Sequence, residues 1–278
     1  MIIKSYSKIN LTLRVNSKSK NNLHEIQSFF CLINLFDEIS IKKNKKKRDE
    51  ISFYGPFSKL IKSKSNSVYK ILKKLRDLKI ISCNYSIKIK KNIPIFGGLA
   101  GGTSNAAYIF KSLYKYKVNK RLFEKLESIV GSDLSLFFMK QGFLKNLKKI
   151  IELKKKHKFD FVLIHPNIKC STKEIYAKVK KFSKKDQLDN NVVKSKIKLL
   201  NYLSKNRNDL QFIVEKKYPI IKKILKDIKK QKGCCFSRMT GSGSVCYGLF
   251  INQITAKKAI NNLKKEYPKL WFSLAKTV

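Results

Sequence analysis

Two glycine-rich stretches carry the residue types that handle phosphate. The first is Pro94-Ile95-Phe96-Gly97-Gly98-Leu99-Ala100-Gly101-Gly102-Thr103-Ser104, which holds four of the chain's 11 glycines in two pairs. Glycine takes φ > 0 freely and lets backbone approach a ligand with no Cβ between them. Backbone N–H groups at such a loop, backed by the dipole of a following helix, attract an anion. Thr103 and Ser104 add hydroxyls suited to a phosphate or a hydrated magnesium ion. Spacing alone leaves two readings open, a tight turn or a phosphate cradle. It does exclude two known cradles. Gly97 and Gly102 are separated as in a P-loop, but Thr103 stands where that motif needs its lysine, and no G-x-G-x-x-G fingerprint occurs. The second stretch, Thr240-Gly241-Ser242-Gly243-Ser244, is a weak signal by itself.

Elements must hold these stretches in place. Tyr85, Ile87 and Ile89 alternate with Ser86, Lys88 and Lys90, which predicts a half-buried strand before the first loop. Ala106, Ala107, Ile109, Phe110 and Leu113 fall at helical spacing after it. Near the start, Ile9, Leu11, Leu13 and Val15 alternate with Lys8, Asn10, Thr12 and Arg14, which predicts one strand. Lys8 and Asn10 then share a side, by spacing alone a solvated one. Asn66 predicts an N-cap for a helix striped by Val68, Ile71, Leu72, Leu75 and Leu78. A helix over Arg121–Val130 ends at Gly131, and Asp133 reads as a cap for the apolar stretch behind it.

Further along, Lys42–Arg48 is expected to be a solvated hairpin connection to Ile51-Ser52-Phe53. Phe159–Pro166 reads as a buried strand, and a helix from Thr172 carries Ile175, Tyr176, Val179 and Phe182. Residues 183–208 are expected to be a long exposed connection. Tyr218–Ile228 and residues 255–266 read as helices, and Leu270–Leu274 as a final strand. This order predicts an α+β fold in two lobes.

A chain of 278 residues with 43% hydrophobic content folds as one large or two small domains. No apolar run approaches the roughly 20 residues of a membrane span. The opening Met1-Ile2-Ile3-Lys4-Ser5-Tyr6 lacks a signal-peptide core, so a cytoplasmic location is expected. The six cysteines form no C-x-x-C pair, which argues against zinc and for reduced thiols. The net charge of +45 by itself points to a polyanion. Its lysines are spread through every predicted helix and loop, however, so no specific nucleic-acid partner is expected. Such a field still draws anionic substrates such as nucleotides.

The first glycine stretch resembles P-x-x-x-G-L-G-x-[GS]-x-[AS]-x-A, the second motif of the GHMP kinases (galacto-, homoserine, mevalonate and phosphomevalonate kinases). Within that superfamily it is most similar to the branch acting on 4-diphosphocytidyl-2-C-methyl-D-erythritol, from whose loop it departs at Phe96, Ala100 and Thr103. Ser7-Lys8-Ile9-Asn10-Leu11 resembles the branch's P-A-K-[IL]-N-L, whose Lys and Asn face the active site. Asn22-Leu23-His24-Glu25-Ile26-Gln27-Ser28 resembles G-Y-H-x-[IL]-x-[ST], whose His and Tyr read the cytosine; Leu23 replaces that Tyr. Gly131-Ser132-Asp133-Leu134-Ser135 resembles G-[AS]-D-[VI]-P, with Ser135 for the Pro, and Thr240–Ser244 resembles the third motif. The resemblance also places an aromatic, Tyr176, on the cytosine and matches Asn208-Asp209-Leu210 to N-D-[LF].

The resemblance implies a two-lobed GHMP kinase fold with the active site in the cleft between lobes. The division expected is an ATP-binding domain over 1–150 and a C-terminal domain over 151–278. It implies that ATP with Mg²⁺ phosphorylates the 2-hydroxyl of that cytidine diphosphate methylerythritol, in non-mevalonate isoprenoid synthesis. Asp133 is implied as catalytic base, with Lys8 offsetting developing charge. Asn66 and the residues from Pro94 to Ser104 are implied to bind ATP, with Ser104 a candidate metal contact. Asn10, His24, Tyr176, Thr240, Gly241, Ser242 and Gly243 are implied to bind the other substrate. No membrane partner is expected, and the chain is expected to be a monomer or weak homodimer. The alternatives are a homoserine- or mevalonate-type GHMP kinase and, outside the superfamily, a basic RNA-binding protein.

Overall fold

In the computed structural model, residues 2–19, 23–59, 61, 66–116 and 118–278 are described. The elements of the first part are β1 (Ile2–Asn10), β2 (Arg14–Lys18), β3 (His24–Asn44), β4 (Glu50–Tyr54), α1 (Ser67–Asp77), β5 (Asn84–Lys90), α2 (Gly101–Leu113) and α3 (Lys120–Val130). A 3-10 turn (Ser135–Phe138) leads to β6 (Gln141–Asn146), β7 (Lys149–Glu152), β8 (Asp160–His165), α4 (Thr172–Ala177), α5 (Asn190–Lys194) and α6 (Lys196–Lys205). Then come α7 (Gln211–Lys217), α8 (Pro219–Lys230), β9 (Cys234–Met239), β10 (Cys246–Phe250), α9 (Gln253–Glu266) and β11 (Trp271–Lys276). They group into two units, one of residues 1–8, 35–95 and 100–139, the other of 9–34, 96–99 and 140–278.

In the first unit β5 is the central strand. It pairs antiparallel with Glu38–Asn44 of β3 and parallel with β4. Ile87 and Ile89 therefore meet Ile41 and Ile39 on one side and Ile51 and Phe53 on the other. This corrects the hairpin expected around Lys42–Arg48, because β5 separates the strands on either side of it. The matched apolar alternation of three strands, rather than sequence adjacency, sets the order. Asn66 caps α1 as expected, its Oδ1 accepting from the Tyr69 N–H at 2.9 Å. Val68, Ile71, Leu72 and Leu75 are buried where α1 packs on α2 and α3, about 1.5–3 kcal/mol for each side chain.

In the second unit β2 and β6 pair with the N-terminal part of β3, and β7 adds to β6. A four-stranded antiparallel sheet has the order β11-β8-β10-β9, with α8 and α9 packed on it. The strand expected from residue 8 to 15 is interrupted. β1 stops at Asn10, and the N–H groups of Leu11 and Thr12 both donate to Phe29 O before β2 begins. Lys8 and Asn10 are 4% and 3% exposed, so they do not form a solvated face. The connection expected over 183–208 contains α5 and α6, because Leu199 and Leu203, four apart, bury one helical face. The helix at Thr172 ends at Ala177, leaving Val179 and Phe182 beyond it.

Candidate active site

The first unit brings Lys8 and Asp133 together. Lys8 Nζ lies 3.3 Å from Asp133 Oδ2, the lysine nearly buried and the aspartate 31% exposed. Asp133 sits in the turn after α3, and the 3-10 turn behind it has no side-chain cap. The carboxylate thus meets Lys8 and reaches solvent, which leaves an oxygen able to take a proton from a hydroxyl.

The second glycine pair is helical, not loop. α2 starts at Gly101 behind Ala100, whose φ of 55° is left-handed, and no side chain caps it. The N–H groups of its first turn are therefore open to an anionic ligand. A Cβ built on Gly102 would lie 3.4 Å from Ser67 Oγ, so the starts of α1 and α2 adjoin. One built on Gly131 would lie 3.7 Å from Thr103 Oγ1, which puts the Thr103 hydroxyl beside the turn of Asp133. Ser104 departs from expectation. Its hydroxyl is fully buried, 2.7 Å from Ser5 Oγ and donating to Tyr6 O. Thr103 is the hydroxyl toward the Asp133 turn, whereas that of Ser104 is taken up by Ser5 and Tyr6.

Behind this turn lies a buried polar cluster that sequence reasoning missed. Asp37 Oδ1 accepts from the N–H groups of Asn92 (2.8 Å) and Ile93 (2.9 Å). Asp37 Oδ2 accepts from Asn105 Nδ2 and pairs with Lys91, whose Nζ also donates to Asn105 Oδ1 at 2.8 Å. Burial pushes the Lys91 ammonium below its ordinary range while Asp37 pulls it back. The cluster fixes the chain on both flanks of Pro94 and Ile95. A charged residue at each of two otherwise apolar positions was the available signal.

The second unit holds Phe96–Leu99 against the second glycine turn. Ser244 N donates to Phe96 O and Val245 N to Gly97 O. Gly98 has φ +74°, and a Cβ on it would fall 2.2 Å from Thr240 O; Gly241 and Gly243 also have positive φ. Only glycine lets the two backbones meet this closely. Asn10 N donates to Thr240 Oγ1 at 3.0 Å and Asn10 Nδ2 to Ser28 Oγ at 2.8 Å. Ser242 Oγ lies 2.8 Å from Thr172 Oγ1 at the start of α4. Asn208 Nδ2 donates to Met239 O and Gly241 O, supporting the turn from behind.

In the same unit His24 and Tyr176 meet, their ring centroids 5.1 Å apart. Phe182 stands 6.4 Å from the His24 ring. Burial and then the charge of Lys18 hold the His24 imidazole below its usual range. Asn22 of this motif lies outside the described residues.

Residues 66–137 match the family model of the GHMP kinases N terminal domain, and residues 186–269 that of the GHMP kinases C terminal. A protein of Pelagibacter ubique (strain HTCC1062) named 4-diphosphocytidyl-2-C-methyl-D-erythritol kinase is 38% identical over 99% of this chain and 98% of its own length. The chain belongs to the 4-diphosphocytidyl-2-C-methyl-D-erythritol kinase family of GHMP kinases. A like-named relative from Caldanaerobacter subterraneus subsp. tengcongensis is 31% identical over 99% of this chain and 96% of its own. The crystal structure of a 4-(cytidine 5'-diphospho)-2C-methyl-D-erythritol kinase shares the fold with a TM-score of 0.76 at 21% identity, covering 99% of each chain. The α+β GHMP kinase fold expected is thus borne out. In this GHMP kinase the Asn208-Asp209 pair gains a structural reason. Asn208 braces the glycine turn, and Asp209 Oδ2 accepts from Val15 N at 2.8 Å.

Proposed function

We propose that this kinase transfers the γ-phosphate of ATP to the 2-hydroxyl of 4-diphosphocytidyl-2-C-methyl-D-erythritol, a step of isoprenoid precursor synthesis. The observation that carries the chemistry is the Lys8–Asp133 pair beside the uncapped start of α2. Phosphoryl transfer rests mostly on positioning and charge neutralisation. In this reading the N–H groups of Gly101, Gly102 and Thr103 bind phosphate oxygens at the positive end of the helix dipole. Asp133 accepts the proton of the attacking hydroxyl, and Lys8 offsets charge as it develops. Mg²⁺ entering with ATP would neutralise its β and γ oxygens. Among the described residues no cluster of three His, Cys, Asp or Glu is built to hold that ion, and Ser104 is turned away, so Thr103 is the hydroxyl offered.

On the acceptor side, His24 and Tyr176 present rings to the cytosine, while Asn10 and Thr240–Gly243 contact the remainder of the substrate. The chain acts in the cytoplasm as a monomer or weak homodimer, with no specific nucleic-acid or membrane partner. ADP release measured with a panel of acceptors tests the reading. The cytidylyl compound should be turned over fastest; faster turnover of homoserine or mevalonate would overturn it.

A further inference from the structure

We infer that Phe182 is a further substrate-binding residue, presenting a third aromatic face to the nucleobase beside His24 and Tyr176. The inference rests on the acceptor proposed above.

Phe182 lies past the end of α4, in a segment with no regular structure of its own. The residue is 47% exposed, an unfavourable place for a large apolar side chain. The backbone next to it is nevertheless held firmly. Ser183 N donates to Val15 O at 2.8 Å, and Ser183 O accepts from Asn16 Nδ2 at 3.0 Å. One residue on, Lys184 O accepts from Arg14 Nη1; beyond it, Asp186 N donates to Gln27 Oε1 while Gln27 Nε2 donates to Asp186 O. These bonds pin the segment to β2 and β3, so the ring is presented rather than loose.

What it is presented to is the imidazole of His24, at 6.4 Å and tilted by 41°, the same tilt that Tyr176 makes at 5.1 Å. Leu23, the exposed neighbour of His24, offers an aliphatic surface but no flat face. Partly exposed aromatic rings grouped in this way suit a planar ring, since every base has a π-face on which to stack. Preordering the ring also lowers the entropy cost of binding.

Steady-state kinetics of the full chain provide the test. Phe182→Ala should raise KM for the cytidylyl substrate roughly 5- to 100-fold, with kcat and KM for ATP held within about twofold. Phe182→Leu keeps apolar bulk without a flat face and should behave like the alanine variant. Phe182→Tyr should stay near wild type. The inference is overturned if Phe182→Ala and Phe182→Leu bind this substrate normally while Tyr176→Ala does not. It is also overturned if Phe182→Ala lowers kcat and weakens ATP alike, the mark of a merely structural residue. Absence of turnover of the cytidylyl compound by the wild-type chain would remove the proposed function and this inference together; normal wild-type turnover with an indifferent Phe182 would remove only the inference.

Discussion

Lys8 Nζ and Asp133 Oδ2 stand 3.3 Å apart, one on β1 and one in the turn after α3. The lysine is almost wholly enclosed while the carboxylate keeps a solvent-facing edge. An ion pair placed only for stability gains little from such exposure. A carboxylate within reach of a bound hydroxyl can take its proton.

Asp133→Asn should keep the shape and lose the base. General-base catalysis contributes about 10²–10⁴-fold, so kcat should fall by that order while ATP still binds. Lys8→Ala should fall comparably, and the double variant should fall by less than the product of the two, because the pair acts as a unit. Nucleotide affinity measured alongside turnover checks this. Near-normal turnover of Asp133→Asn would end the catalytic assignment.

The glycines should divide into two kinds. Gly98→Ala places a methyl 2.2 Å from Thr240 O at a φ of +74°. The left-handed backbone alone costs about 1–2 kcal/mol, and the clash adds to it, so the melting temperature should drop. Gly102→Ala meets only Ser67 Oγ at 3.4 Å and lies in a helix. It should leave stability unchanged or raise it by about 0.5–1 kcal/mol, yet weaken ATP if phosphate touches backbone there. Thermal melts and KM for ATP on both variants separate fold from function.

Lys91→Met leaves the Asp37 carboxylate without its cation at 0% exposure. Breaking a buried pair from one side costs about 3–5 kcal/mol. Denaturant unfolding should show that loss, and replacing both partners with apolar residues should cost less. Equal losses in the single and double variants would contradict the buried-charge explanation.

His24 has its pKa lowered in the folded chain by burial first and Lys18 second. Its neutral form is therefore favoured, and its contribution to stability is complete above the unfolded value of about 6.5. That contribution is lost as pH falls through the folded value. An NMR titration should find His24 titrating below 6.5, and Lys18→Ala should move it part of the way up. A titration at or above 6.5 would mean that the ring is neither desolvated nor near the charge.

Local chemistry in the sequence determined a good deal. The cap at Asn66, the stop at Gly131 and the strand–glycine–helix order around residue 97 follow from dihedral preference and periodicity, which act over a few residues. The motifs around Lys8, His24, Asp133 and Thr240 were legible for the same reason, being contiguous. Tertiary structure alone decided the rest. It turned the Ser104 hydroxyl inward and left Thr103 beside Gly131. It set β5 between β3 and β4, joined Lys91 to Asp37, and placed Asn208 under Gly241. It also carried Tyr176 and Phe182 to His24. Each of these depends on which distant surface supplies a buried partner. Alternation and helical spacing say that a side chain is buried, and not what it is buried against.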